Sequence, residues 1–374
     1  MGNSGANPFD DRLFDLAYAA RRHRLDALLV FGEANIRALT GLCCDNGCLI
    51  VFPDVKGREP ATRPPIFITD FRYIPMAHRV APWLETVEQL KDGGLTGTAQ
   101  QVLKKEHVKV ARLGFERGIS AGCYLDLQKR FKAAKLVECE DEVLNLRAVK
   151  TVDEIMKIAH AEMRNDEIWK LARKEFKYGM TEKDMQRIIR AYMNELGDGE
   201  AFETIVCVGA NAAECHHVPD ETVWEKGEPL LVDMGVKLDG VCADMTRCIK
   251  PKKGCKSCTL AEYEKIYNIV LEANLAAIAA AKPGMTGREL DKVARDYITK
   301  AGYGPAFGHS LGHGVGYEIH EMPTASTRGT MVLKPGMFVT IEPGIYLEGK
   351  LGVRIEDLIL ITTTGCEVLT QSVK

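Results

Sequence analysis

Several features are missing from this sequence, and each absence closes off a class of function. There is no excess of positive charge: 49 Lys+Arg stand against 52 Asp+Glu, a formal net charge of -3. Without surplus cations to displace phosphate counterions, no nucleic-acid partner is expected. No apolar run approaches the roughly 20 residues of a membrane helix, so no membrane partner is expected. The opening MGNSGANPFDD lacks the basic and apolar regions of a secretory signal. Its Ser4 falls too early for a myristoylation signal built on Gly2. No GxGxxG or Walker A pattern occurs in the first part of the chain, so nucleotide binding has no support. The 12 cysteines among 374 residues are too sparse and scattered for a disulfide scaffold. Cys207, Cys242 and Cys248 sit in apolar, strand-like segments, which suits buried thiols in a reduced, cytoplasmic protein. One close pair, Cys255-Lys-Ser-Cys258, has no second CxxC and lies near Lys252, Lys253 and Lys256. It is expected to be a solvated loop rather than a zinc or redox site.

With 46% hydrophobic and 27% charged residues, the composition is that of a folded globular protein. The length suggests two domains, with at least one large core. In the first part of the chain, helical and strand patterns alternate, indicating an α/β domain over residues 1–145. Helices are predicted at Phe14–Arg24, Gly97–Lys105 and Tyr124–Ala134. Strands are predicted at Ala27–Phe31, Cys48–Phe52, Ile66–Thr69, Arg112–Phe115 and Leu136–Cys139. A boundary falls near Glu140–Thr151. There Thr151 and Glu154 have the spacing of a capping box and open a long helix through about Phe176. Residues 146–374 form the second domain.

That second domain repeats itself. Gly179-Met-Thr-Glu recurs as Gly284-Met-Thr-Gly, with Thr181 and Thr286 as matching helix N-caps. Each capped helix runs toward a glycine, near 197 or 302. The strand ending in Asp233-Met-Gly235 is echoed by the one ending in Glu342-Pro-Gly344, and a second acid follows each, Asp244 and Glu356. The offsets, 233 to 342 and 244 to 356, are 109 and 112 residues. An internal duplication with a pseudo-twofold axis follows.

Such a duplication would bring Asp233, Asp244, Glu342 and Glu356 toward one axis. All four lie in apolar strand sequences, where an unpaired carboxylate costs several kcal/mol. Arg247 and Arg354 are the nearby bases, so the acids outnumber them. A divalent cation fills that deficit, and two ions close together activate water. His216, His217, His309, His313 and His320 fall in two segments beside these acids, and neutral imidazole is a common metal ligand. Arg354, two residues before Glu356, would share a strand face with it and could hold a carboxylate of a ligand acid or of substrate.

Five spaced segments carry a family resemblance: Asp233-Met-Gly with Asp244-Met-Thr-Arg247, Gly312-His313-Gly-Val-Gly316, Ile319-His320-Glu321, Ile341-Glu342-Pro-Gly344 and Val353-Arg-Ile-Glu356-Asp357. From about residue 150 onward the chain resembles the pita-bread metallopeptidases, which include aminopeptidase P, prolidase, methionine aminopeptidase and the metal-free creatinase. Asn35-Ile-Arg-Ala-Leu-Thr-Gly41 and Thr69-Asp-Phe-Arg-Tyr73 resemble the creatinase-type N-terminal domain, which points to the aminopeptidase P and prolidase branch. The resemblance implies an α/β N-terminal domain followed by an α+β pita-bread domain. It implies that Asp233, Asp244, His313, Glu342 and Glu356 hold two divalent metal ions, with Asp244 bridging them. Manganese is the first choice, with Co, Fe or Zn as alternatives. Glu342 would also relay a proton to the leaving nitrogen. His216, His309 and His320 would bind substrate and stabilise the tetrahedral intermediate, with His216 rather than His217 in the family-like position. The implied substrate is an Xaa-Pro peptide and the implied assembly a homodimer. A longer peptide, as for aminopeptidase P, is set ahead of a dipeptide, as for prolidase. A creatinase-like amidinohydrolase or lyase acting on a small molecule is a further alternative, and a non-catalytic binding protein would be expected to have lost ligands.

Overall fold

The computed structural model describes residues 9–53, 63–252 and 254–374. Most of the N-terminal stretch considered for a signal or lipid anchor, residues 1–8, lies outside them, as does Lys253. The chain divides into two compact units, Met1–Arg147 and Ala148–Lys374. Among the described residues no helix is long and apolar enough to cross a membrane.

The first unit contains α1 (Asp10–Arg22), β1 (Ala27–Val30), α2 (Glu33–Thr40), β2 (Gly47–Val51), β3 (Ile66–Thr69), α3 (Ile74–Val80) and β4 (Glu85–Glu88). It continues with α4 (Gly94–Lys105), β5 (Arg112–Phe115), α5 (Ala121–Arg130), β6 (Lys135–Glu138) and α6 (Glu140–Ala148). Its six strands form one mixed sheet in the order β4-β3-β2-β1-β5-β6. Strands β1, β2 and β3 are buried along their whole length, as unbroken apolar runs should be when both faces of a sheet are covered. The eight elements expected here are present, with ends shifted by up to four residues. Four were not expected: α2, α3, β4 and α6. Strand β4 is a polar edge strand without apolar periodicity, and α2 and α3 are too short to display a period. The segment expected to be a boundary is itself helical as α6.

The second unit opens with α7 (Val152–Glu175), started by the expected Thr151–Glu154 capping box. Then come α8 (Glu182–Leu196), β7 (Ile205–Val208), β8 (Leu230–Met234), β9 (Lys237–Leu238), β10 (Val241–Cys242) and β11 (Met245–Ile249). The pattern starts again with α9 (Leu260–Ala280) and α10 (Gly287–Lys300). It continues with β12 (Gly312–Gly314), β13 (Glu321–Ala325), β14 (Phe338–Ile341), β15 (Gly344–Leu347), β16 (Leu351–Arg354), β17 (Asp357–Ile361) and β18 (Cys366–Val368).

The repeat read from the sequence extends to details of hydrogen bonding. Thr181 and Thr286 both cap through reciprocal boxes, with Asp184 and Glu289. Each threonine also makes an isolated antiparallel bridge, to Val223 and to Val332. Asn165 of α7 donates to the carbonyl of Met234 at 3.1 Å, and Asn274 of α9 donates to the carbonyl of Ile341 at 2.8 Å. Those carbonyls lie immediately beside Asp233 and Glu342, so each long helix grips the strand end that carries an acid.

Cys255 and Cys258 are joined as a disulfide, and Cys258 is buried in the core beneath α9. This corrects the expectation of a solvated, reduced loop. Lys256 does point outward, but the turn is fastened from Lys256 N–H to Glu228 and packs its second sulfur inward.

Candidate metal centre

The antiparallel pairing of β8 with β11 sets Asp233 opposite Thr246, which places Asp244 at the start of β11 near Asp233. The pairing of β14 with β17 sets Ile341 opposite Asp357 and so brings Glu342 and Glu356 to the same end of that pair. β12 carries His313. Its pairing with β13 shifts register between His313 and Gly314, a bulge of the kind that re-aims a side chain. Gly312 permits this approach, because a Cβ there would lie 1.8 Å from the carbonyl oxygen of Thr340.

Asp233, Asp244, His313, Glu342 and Glu356 all line one cavity of about 530 Å³, together with His216, His309, His320 and Arg354. Donor atoms of Asp244, His313 and Glu356 lie within 4.8 Å of one another. His313 Nε2 is 3.6 Å from Asp244 Oδ2 and 3.4 Å from Glu342 Oε1. The Nδ1–H of the neutral ring donates to the carbonyl of Gly314 at 3.1 Å, which leaves the Nε2 lone pair turned to the acids. Burial and the neighbouring His320 hold His313 down at about 4, so it is neutral near pH 7.

The acids are crowded. Burial, and then repulsion from Glu356, Asp233, Glu342 and Glu162, push Asp244 well above the usual carboxylate range. Glu356 is pushed up in the same way, by burial and by Glu342 and Asp233. Glu342 rises to about 8, chiefly through burial. Asp233 Oδ1 is buried without a hydrogen-bond partner. Among the described residues lining the cavity, Arg354 is the one Lys or Arg. Oxygen donors with raised proton affinity, an orphaned carboxylate oxygen and an available imidazole lone pair fit divalent cations.

Arg354 is committed within the protein. It donates to Asp233 at 2.6 Å, to Tyr346 at 2.8 Å and to Thr246 at 3.0 Å. The contact is thus with an acid of the site. Arg247, the other base near the acids, pairs instead with Asp357 at 2.9 Å and donates to the backbone carbonyl of Glu356.

The histidines separate by environment. His216 lines the cavity, whereas His217 turns away to Glu182 at 2.7 Å. His320 packs edge-on to His313, ring centroids 4.4 Å apart, and burial lowers its pKa. His309 is held down at about 4, first by burial and then by Arg354. Both its ring nitrogens are engaged, Nδ1 with the carbonyl of Ser310 at 2.8 Å and Nε2 with the Tyr346 hydroxyl at 2.9 Å. It lines the cavity with its ring nitrogens engaged by the protein rather than left open for a substrate.

Three residues of the site escaped the sequence reading. Tyr346 links Arg354 to His309. Thr246 accepts from Arg354 and donates to Glu356 at 2.7 Å. Glu162 of α7 accepts the Asp244 N–H at 3.2 Å. Only Glu162 left a usable trace, being a carboxylate on the same helical face as the core residues Ile158, Asn165 and Trp169.

Comparison with known proteins gives the same direction. Residues 147–363 match the model of metallopeptidase family M24, and residues 12–149 that of the Creatinase/Prolidase N-terminal domain. The uncharacterized peptidase YqhT of Bacillus subtilis is 35% identical over 352 residues, covering 94% of this chain and 95% of its own length. Among solved structures, the Xaa-Pro dipeptidase from Bacillus anthracis is similar with TM-score 0.89 and 33% identity, covering 98% of both chains. The prolidase from Pyrococcus horikoshii OT3 has TM-score 0.88 and 29% identity, covering 97% of this chain and 99% of its own. The X-Pro aminopeptidase from Thermotoga maritima MSB8 has TM-score 0.80 and 32% identity, covering 94% and 97%.

Proposed function

The chain belongs to metallopeptidase family M24, and from that premise we propose that it hydrolyses the bond between an N-terminal residue and a following proline. The observation that carries this reading is the meeting of five ligand-type side chains and three further histidines on one cavity. Dipeptides stand first as substrates, because the dipeptidase and prolidase superpose more closely than the aminopeptidase. The longer peptide stands second.

Asp233, Asp244, His313, Glu342 and Glu356 would hold two divalent ions. When bound, such a pair polarises a scissile carbonyl and acidifies water. Glu342 takes the proton of the attacking water and delivers it to the proline nitrogen, which has no N–H of its own. His320 and His216 donate to the substrate carbonyl and to the oxyanion that develops from it. His309 serves this arrangement through Tyr346, which it holds against Arg354. Arg354 in turn orients Asp233. Manganese as the metal, a homodimer as the assembly and the cytoplasm as the location complete the reading.

The test is hydrolysis after loading with Mn²⁺. Release of proline from an Xaa-Pro dipeptide is compared with release of the first residue from an Xaa-Pro-Xaa tripeptide. Faster dipeptide cleavage is expected. Cleavage of neither peptide by protein that holds two metals per chain would overturn the reading in favour of a small-molecule amidinohydrolase or lyase. Elemental analysis and the mass in solution check the metal and the dimer.

A further inference from the structure

Two adjacent histidines, His216 and His217, point in opposite directions, and the outward one is tightly held. His217 Nε2 lies 2.7 Å from Glu182 Oε2, and its Nδ1 lies 3.5 Å from Glu214. Glu182 is the first residue of α8 and is completely buried. Besides His217 it accepts from the backbone N–H of Val208 at 2.7 Å, from Asn211 Nδ2 at 3.0 Å and from the N–H of Asp220 at 3.0 Å. One carboxylate therefore ties together the start, the middle and the end of the segment 208–220. His216 lies within that segment.

Glu182, His217 and Asp220 also have the proximity of a metal site. The hydrogen bonds argue otherwise. A carboxylate offers about four lone-pair directions, and those of Glu182 are taken by N–H donors and an imidazole. The group is built as a clamp.

On the cavity side the same segment has a second fastening. Arg354 Nη1 reaches the carbonyl of Cys215 at 3.4 Å while Nη2 of the same guanidinium holds Asp233. His216 thus stands between two anchors, the Glu182–His217 pair outside and Arg354 inside.

Resting on the role given above to His216, we infer that His217 is a positioning residue for the reaction, and that with Glu182 it fixes the reach of His216 into the cavity. Displacement of a catalytic group by about 1 Å costs on the order of 10²-fold in rate. Loss of the clamp should therefore lower kcat without touching the metal.

The experiment is a double-mutant cycle on the Mn²⁺-loaded enzyme with an Xaa-Pro dipeptide. His217→Ala is expected to lower kcat on the order of 10-fold to 100-fold, with KM and metal content held at the wild-type level. His217→Gln, which keeps a donor for Glu182, should recover most of the rate. Because His217 acts through His216, His217→Ala should cost nothing further in a His216→Ala background. Glu182→Gln, which retains the buried shape, runs through the same cycle if His217→Ala fails to fold. A wild-type kcat in His217→Ala, or losses that multiply in the double variant, would overturn the inference. So would metal lost from His217→Ala but kept in His216→Ala, which would make the cluster an ion site. Failure of the parent reading looks different: full rate in His216→Ala, or no cleavage by the wild-type enzyme.

Discussion

In the first half of the C-terminal unit Thr181 caps α8 and is followed by Glu182. In the second half Thr286 caps α10 and is followed by Gly287. Glu182 reaches out to grip the segment that bears His216. Gly287 has no side chain, and a Cβ there would come 2.0 Å from the carbonyl of Thr324, a residue of the cavity wall. The strand across from the acid differs as well. In the first half Ile205 pairs opposite Asp233, and in the second His313 approaches Glu342. Repetition thus supplies two acids from each half in matched positions. Divergence supplies what a symmetric site could not: one imidazole beside the acids, and one half that packs by backbone while the other is clamped by a carboxylate.

The largest effect should come from breaking the symmetric part. Asp244→Asn keeps the shape and removes a charge that the family resemblance places between two ions. Loss of at least one metal per chain and near-complete loss of hydrolysis are expected, and unchanged metal by elemental analysis would deny the bridging role.

The asymmetric part is tested next, by two histidines whose rings touch. His313→Ala should lose metal. His320→Ala should keep it and lose on the order of 10²–10³ in kcat, the scale of one oxyanion donor, with KM little changed. The reverse pattern of metal contents would exchange their roles.

The crowding of acids from both halves predicts a pH dependence for protein stripped of metal. Glu342 is raised from an ordinary value of 4.5 to about 8 in the fold, so the folded state binds its proton more tightly than the unfolded state does. That stabilisation is complete below about 4.5 and is lost as pH rises toward about 8. Asp244 and Glu356 shift in the same direction. The Tm of the stripped protein should fall across this window relative to the same protein with Mn²⁺. A metal-free Tm that rises in parallel with the loaded one would contradict the crowding.

The smallest effect sharpens the likeness of the halves. Thr181→Ala and Thr286→Ala each remove one capping box and should each cost about 1 kcal/mol of stability by denaturant unfolding. A cost confined to one of them would show that the repeated caps are not energetically equivalent.

Much of this was open to inspection in the chain alone, for reasons of local physics. Reciprocal caps have a fixed spacing, so Thr151 with Glu154 and the pair Thr181 and Thr286 announced their helices. Charged residues inside apolar strands are costly, so Asp233, Asp244, Glu342 and Glu356 stood out as acids in need of a partner. Their repetition in the same order pointed to a common axis.

Other features depend on contacts between residues far apart in sequence, and no local pattern encodes them. The family resemblance favoured His216 over His217, but what holds His217 away from the cavity is Glu182, on a helix more than thirty residues earlier, through a bond of 2.7 Å. Tyr346 became part of the site because β15 pairs with β16 and sets its hydroxyl beside Arg354. The single N–H of the neutral His309 ring goes to the Ser310 carbonyl, and its Nε2 accepts from that same hydroxyl. The sequence by itself determined which residues are too costly to bury unpaired and where helices begin, because those energies are local. Only the tertiary structure decided which buried polar atom meets which, because a hydrogen bond is made or lost within a few tenths of an ångström.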